Sequence, residues 1–184
     1  MKLKLLLSPL AKAAYFGNYL EVAHAEFLAH YPECDVRPEK LATLDYLNVE
    51  LYEEELQQLS RLSFVQGIFK EEGDKLIVLN QEPGFVLPEE LVYAAKYQGK
   101  TNELVTQLAI NIGIVFASIR EGEVPRLLDP MAGRGTTMLW ALRYGMNASG
   151  IEQDRKALAG LHQHLKKQTK LLRIKHQHSQ GFIG

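Results

Sequence analysis

The chain has 184 residues, 46% of them hydrophobic, a formal net charge of -1 and a single cysteine. That apolar share is enough for one medium domain or two small ones with a core and excludes disorder as the default state; the near-zero charge announces neither a nucleic-acid nor a membrane partner. One thiol, Cys34, excludes an internal disulfide and a cysteine-built metal site, and a reducing cytoplasm is the expected home.

Taken in chain order, residues 3 to 7 read as a short buried strand. Ser8, Pro9 and Lys12 interrupt the apolar run before it reaches the length of a signal or a membrane span, and "SPLAKAAYFGN" reads as a connection. Asn18 with Glu21 three residues on has the spacing of a capping box, and Tyr19, Leu20, Val22, Ala23, Phe27 and Leu28 recur near the helical period up to Pro32. "YPECDVRP" is turn-like, "LATLDYLNVEL" reads as one strand and "YEEELQQLSRLS" as a short amphipathic helix. "FVQGIF" and "KLIVLN" form a predicted hairpin across "KEEGD". Together these make a small α+β domain over residues 1 to 90, closed by the Pro- and Gly-broken "QEPGFVLPEE".

A second domain is expected over 91 to 184. It opens with a helix whose apolar stripe is Leu104, Val105, Leu108, Ala109, Ile112, Val115, Phe116 and Ile119, capped by Thr101 or Asn102. Then "RLLDP" reads as a strand, "TMLWALRYG" as a helix, "NASGIEQD" as a second strand and the segment from Asp154 as a helix. Beyond Asp154 stand Arg155, Lys156, Lys166, Lys167, Lys170, Arg173 and Lys175 without an acid, whereas Glu21 to Glu90 is rich in acids. A solvated helix face and an RNA-facing one are both compatible with that tail.

The chemistry concentrates in "DPMAGRGTT". Gly133 and Gly135, one residue apart at a strand-to-helix turn, let backbone approach a ligand, and the next helix offers unpaired N–H groups at its start. Glu152 at the end of the following strand can accept from both hydroxyls of a ribose. The dinucleotide pattern G-x-G-x-x-G fails, because Met138 stands three beyond Gly135, and no lysine supplies a P-loop. Asp129 before the glycines can pair with an ammonium group. A ligand with an amino-acid part and an adenosine part fits both carboxylates, and S-adenosylmethionine has those parts.

"LLDPMAGRGTT...GIEQD" resembles the first cofactor motif of Rossmann-like S-adenosylmethionine-dependent methyltransferases. With "KYQGKTNELVTQLAINIG" upstream, residues 93 to 165 are similar to the THUMP-associated and tRNA guanosine N2-methyltransferase group. The resemblance implies a partial Rossmann-like fold of first strands and helices, with Asp129, Met131, Gly133 and Gly135 around the methionine part. It further implies Thr136 and Thr137 at the helix end, Glu152 on the ribose, and Lys100, Thr101 and Asn102 reaching in from the upstream loop. The implied substrate is RNA, by expectation tRNA at a base amine, and an incomplete sheet implies self-association.

That group's second signature, Asp or Asn followed by Pro-Pro and an aromatic, does not occur after Asp154, so the chain reads as the front part of such an enzyme. Permuted DNA amino-methyltransferases share the "DPFAGSGTT" type of turn and form an alternative. A non-catalytic interaction fragment and a small nucleotide-binding regulator are others. His162 with His164 and His176 with His178 invite a metal reading, but an i, i+2 pair diverges on a helix, and surface histidines are expected. Trp140 is expected in the core. Arg134 reads either as a phosphate contact or as an exposed loop residue.

Overall fold

The structure is a computed structural model that describes residues 1–94, 97 and 99–177. The chain forms two compact units: Met1–Phe85 with Thr101–Pro125, and Val86–Lys100 with the chain from Arg126 on. It is α/β in composition, with helices and both antiparallel and parallel strands. No helix among the described residues is long and apolar enough to cross a membrane.

In the first unit, β1 (Lys2–Leu7) buries Leu3, Leu5 and Leu7, a period of two that turns every second side chain to one face. The segment read as a connection is instead a helix, α1 (Pro9–Tyr15). The Ser8 side chain accepts from the Leu10 N–H at 3.2 Å and Pro9 occupies the start, where its missing N–H costs nothing. A short 3-10 turn, Phe16–Asn18, runs straight into α2 (Tyr19–His30). The expected capping box does not form: Asn18, at φ -96° and ψ 12°, lacks the extended backbone of an N-cap, and its side chain makes no cap hydrogen bond.

Strand "LATLDYLNVEL" is also corrected. Its first residue ends β2 (Arg37–Leu41), and Leu41 pairs with Leu44 at the start of β3 (Leu44–Glu50), so Ala42 and Thr43 form the turn, with Ala42 at φ 54°. A 3-10 turn, Glu53–Glu55, leads into α3 (Leu56–Leu59), and the hairpin of β4 (Val65–Glu72) and β5 (Lys75–Leu79) closes at Gly73.

The sheet order is β2-β3-β1-β4-β5, antiparallel throughout. β1 and β2 therefore run the same way with β3 between them, which is the split β-α-β arrangement, extended by β5 at the β4 edge. Leu3 faces Val49, and Leu5 faces Leu47 and Ile68, giving a continuous apolar layer. On that same face of β3, Asp45 bonds the Lys12 ammonium of α1 and, at 2.9 Å, the Tyr19 hydroxyl of α2, so the helices cover this side.

A helix expected in the second domain belongs here. In α5 (Glu103–Phe116), the predicted apolar stripe is buried only in part: Leu104 is buried, Val105 and Phe116 are exposed, and the buried face adds Thr106, Gln107, Ile110 and Asn111. The reason is a set of polar groups that need partners. Gln107 and Asn111 donate to the Arg61 carbonyl at 2.8 and 3.0 Å, and Asn111 donates to buried Glu26 at 2.7 Å. Ser63 completes that carboxylate with its N–H at 2.9 Å and its hydroxyl at 2.5 Å, and the Tyr15 hydroxyl joins Ser63 at 2.7 Å. An acid so far from water is tolerable only with such donors.

The second unit holds α4 (Glu90–Tyr93), β6 (Arg126–Asp129), α6 (Thr136–Arg143), β7 (Asn147–Gly150) and α7 (Arg155–Leu171). β6 and β7 pair in parallel around the α6 crossover, and parallel pairing among the described strands is confined to these two. Trp140 is core, 1% exposed, with Tyr93 edge-on at 6.0 Å between ring centres. Arg143 ties the incoming segment to the end of α6: its carbonyl accepts from Val86 at 2.8 Å and its Nε donates to the Leu87 carbonyl at 3.1 Å.

Candidate functional site

At the C-terminal end of the parallel pair, two β-strands, one turn and two helix starts converge. Backbone bonds fix the frame: Ile151 N–H donates to the Asp129 carbonyl at 2.9 Å, and Ala132 N–H to the Ile151 carbonyl at 3.0 Å. The turn between them needs its glycines for different reasons. Gly135 has φ 81° and a Cβ there would lie 2.9 Å from a Leu161 methyl, so both backbone and packing exclude a side chain. Gly133 has φ 53°, but a Cβ would meet nothing within 4 Å, so the space beside it is open to a ligand.

Two carboxylates border that space. Asp129 Oδ1 accepts from the Met131 N–H at 3.0 Å, an Asx turn that shapes the entry to the glycines. Glu152 reaches back from the end of β7: Oε1 accepts from Asp154 N–H at 2.7 Å and Oε2 from Gly133 N–H at 2.6 Å. Those N–H donors, Asp154 first and Gly133 second, hold its carboxyl below the usual glutamate range, so it is an anion at neutral pH. A carboxylate offers about four lone-pair directions. The two backbone donors leave room for a diol.

The first N–H groups of α6 have no intrahelical acceptor, and they sit at the positive end of the helix dipole. Thr137 lies in that first turn, half-buried. Thr136 is buried, and its hydroxyl is 2.8 Å from the Tyr97 hydroxyl. The Tyr97 ring carries the Arg134 guanidinium 4.8 Å from its centre, and the Arg134 chain lies against Gly160 of α7, where a Cβ would come within 3.3 Å of its Nε. Arg134 thus packs along Tyr97 and α7. Met131, 85% exposed, and Ile151, 58% exposed, put apolar surface at the mouth.

The structure therefore brings Asp129, Met131, Gly133, Gly135, Thr136, Thr137 and Glu152 together at one turn. Thr101 and Asn102 belong to the first unit, where the Asn102 side chain caps α5, accepting from Leu104 N–H at 2.9 Å and Val105 N–H at 3.3 Å. Lys100 donates to the Val92 carbonyl at 2.8 Å. Lys96 and Gln98 of the same upstream stretch lie outside the described residues. From this stretch, sequence reasoning missed Tyr97; an aromatic two residues before Gly99 in a polar run was the available signal.

His164 and His176 take separate backbone partners. His164 Nε2 donates to the Leu91 carbonyl at 2.7 Å and is half-buried rather than a surface residue, because α7 packs against α4. His176 turns to the Ile174 carbonyl at 3.2 Å, and His178 lies outside the described residues. Among the described residues, no group of three or more His, Cys, Asp or Glu comes together. In comparisons with known proteins, no family model matches the chain, and no curated protein matches it.

Proposed function

We propose that the turn after β6 binds S-adenosylmethionine, and that the chain is of the Rossmann-like methyltransferase kind, acting on RNA, with tRNA at a base amine as the substrate class. The observation that carries the reading is the Glu152 carboxylate, anchored on the open Gly133 turn with acceptor capacity to spare, in the turn that Asp129 opens. Each part of the ligand has a fitting group. Asp129 meets the ammonium, the N–H groups of α6 meet the carboxylate, Glu152 accepts from the ribose hydroxyls, and Met131 and Ile151 offer apolar surface to the purine.

Bound there, the cofactor supplies a methyl group on a sulfonium for in-line transfer to a nucleophile. The residues of this chain contribute positioning: the Asx turn and the glycine conformations fix the backbone, and the Tyr97–Thr136 and Tyr97–Arg134 contacts brace it from outside. The reading also places the protein in the cytoplasm and has the two-stranded sheet associate through its open edges. Because the Pro-Pro-aromatic signature is not among these 184 residues, binding is the readout that tests the proposal. Calorimetric titration of S-adenosylmethionine gives a micromolar isotherm, lost in both Asp129→Ala and Glu152→Ala. Absence of heat with the unchanged chain rejects the site.

A further inference from the structure

A concavity lies in the second unit, apart from the glycine turn. It has a volume of about 640 Å³ and is bounded by the end of α6, the C-terminal half of α7 and the segment around Leu87 and Leu91. Leu87, Leu91, Leu142 and Leu165 form its walls. The volume is in the range of small-molecule sites, roughly 300 to 1,000 Å³. Walls of this kind hold water poorly, because a buried water needs two to four polar partners.

One polar lining residue, Thr169, is buried and donates its hydroxyl to the Leu165 carbonyl at 2.7 Å; the others sit at the outside. His162 and Lys166 are exposed on α7, and His176 is exposed on the segment that follows it. No acidic residue lines the concavity, and α7 carries none from Arg155 to Leu171. Glu89 and Glu90 of the bounding segment do not line the concavity, so a cationic ligand would find no counter-charge among the lining residues. An anion at the mouth gains a charge-assisted hydrogen bond from Lys166.

We propose that this cavity is a binding site for a small amphipathic anion: an apolar body among the four leucines, with one carboxylate at Lys166. No residue of the nucleotide turn lines the cavity; Leu161, which packs against Gly135, stands one helical turn before Leu165 on α7 and is not among the lining residues.

The test uses the whole chain and three ten-carbon probes: decanoate, decanol and decyltrimethylammonium, each titrated below its micelle concentration. Decanoate binds saturably at one per chain, and the cationic probe binds at least ten-fold more weakly. Lys166→Glu, an exposed change that leaves the fold intact by circular dichroism, weakens decanoate at least ten-fold. Leu142→Trp, which fills the cavity from a partly exposed position, abolishes it. No saturable decanoate binding overturns the proposal. So does equal affinity for all three probes, or a Lys166→Glu chain that binds decanoate as before. None of these readouts depends on whether S-adenosylmethionine binds.

Discussion

The two units solve opposite problems with the same kinds of element. The first spreads its apolar residues over five antiparallel strands and covers one face with helices, and even its buried acid, Glu26, is met by three donors. The second has two parallel strands of four residues each, with Leu128 65% exposed on β6, yet it gathers two carboxylates, two positive-φ glycines and a helix start at one end. Parallel pairs are ordinarily covered on both faces, and a two-stranded sheet alone is marginal. The broad sheet and the carboxylate-bearing glycine turn are thus divided between the units, and each can be attacked separately.

The largest effects come from the cores. Phe27→Ala removes a fully buried ring in the first unit, at a cost of about 3 to 5 kcal/mol, and Trp140→Ala does the same in the second. Hydrogen exchange followed by mass spectrometry separates the two. Phe27→Ala deprotects β1, β3 and β4, whereas Trp140→Ala deprotects α6 and β7 and leaves the antiparallel sheet protected. Global deprotection by either change breaks the division.

Next come the glycines of the turn, which sharpen the contrast within the second unit. Gly135→Ala forces φ 81° on an alanine and pushes its Cβ against Leu161, costing about 2 to 3 kcal/mol in thermal unfolding. Gly133→Ala meets open space and suffers only its φ of 53°, costing about 1 kcal/mol. Its effect should appear in S-adenosylmethionine binding instead. Equal destabilisation by the two changes would mean that the turn is not open beside Gly133.

The two glutamates titrate in opposite directions. Burial pushes the Glu26 carboxyl up, with the Ser63 and Asn111 hydrogen bonds pulling the other way. Its contribution is therefore complete below the ordinary glutamate range and is lost as pH rises through the raised value. Glu152, depressed by the N–H groups of Asp154 and Gly133, contributes above the ordinary range and loses that contribution as pH falls through its lowered value. Denaturant unfolding of Glu26→Gln and Glu152→Gln from acid to neutral pH reads this directly. Relative to Glu26→Gln, the unchanged chain loses advantage as pH rises; relative to Glu152→Gln, it gains. Curves that stay parallel to the unchanged chain in both cases contradict the two environments.

How much of this was legible depended on whether local pattern or long-range polarity decided the element. The glycine turn with Asp129 and Glu152 is local chemistry, and its residues read straight from "DPMAGRGTT" and "GIEQD". β2 was hidden because "RPEKL" is polar and holds Pro38, as an edge strand allows. In α5 the apolar stripe suggested one buried face, but Glu26 and the Arg61 carbonyl, distant in sequence, recruit Gln107 and Asn111 to the buried face. Hydrophobic periodicity has no access to a partner eighty residues away. The same gap hid the role of Tyr97, whose hydroxyl finds Thr136 across the turn.

The smallest effects test whether cap geometry, rather than cap-like spacing, matters. Asn102 and Asn18 both precede helices, with Glu103 and Glu21 in the first turns of those helices. Asn102, at φ -59° and ψ 132°, points its carbonyl oxygen at two backbone N–H groups; Asn18 is already near-helical and bonds none. Asn102→Ala therefore costs about 1 kcal/mol, and Asn18→Ala no more than a few tenths. Because α5 is held to the first unit by Gln107 and Asn111, the Asn102 loss appears as fraying of Leu104 and Val105 in hydrogen exchange before it appears as a shift in melting. Equal costs at the two asparagines would mean that the Asn18 side chain reaches a cap in solution after all, and that the 3-10 turn before α2 opens to let it.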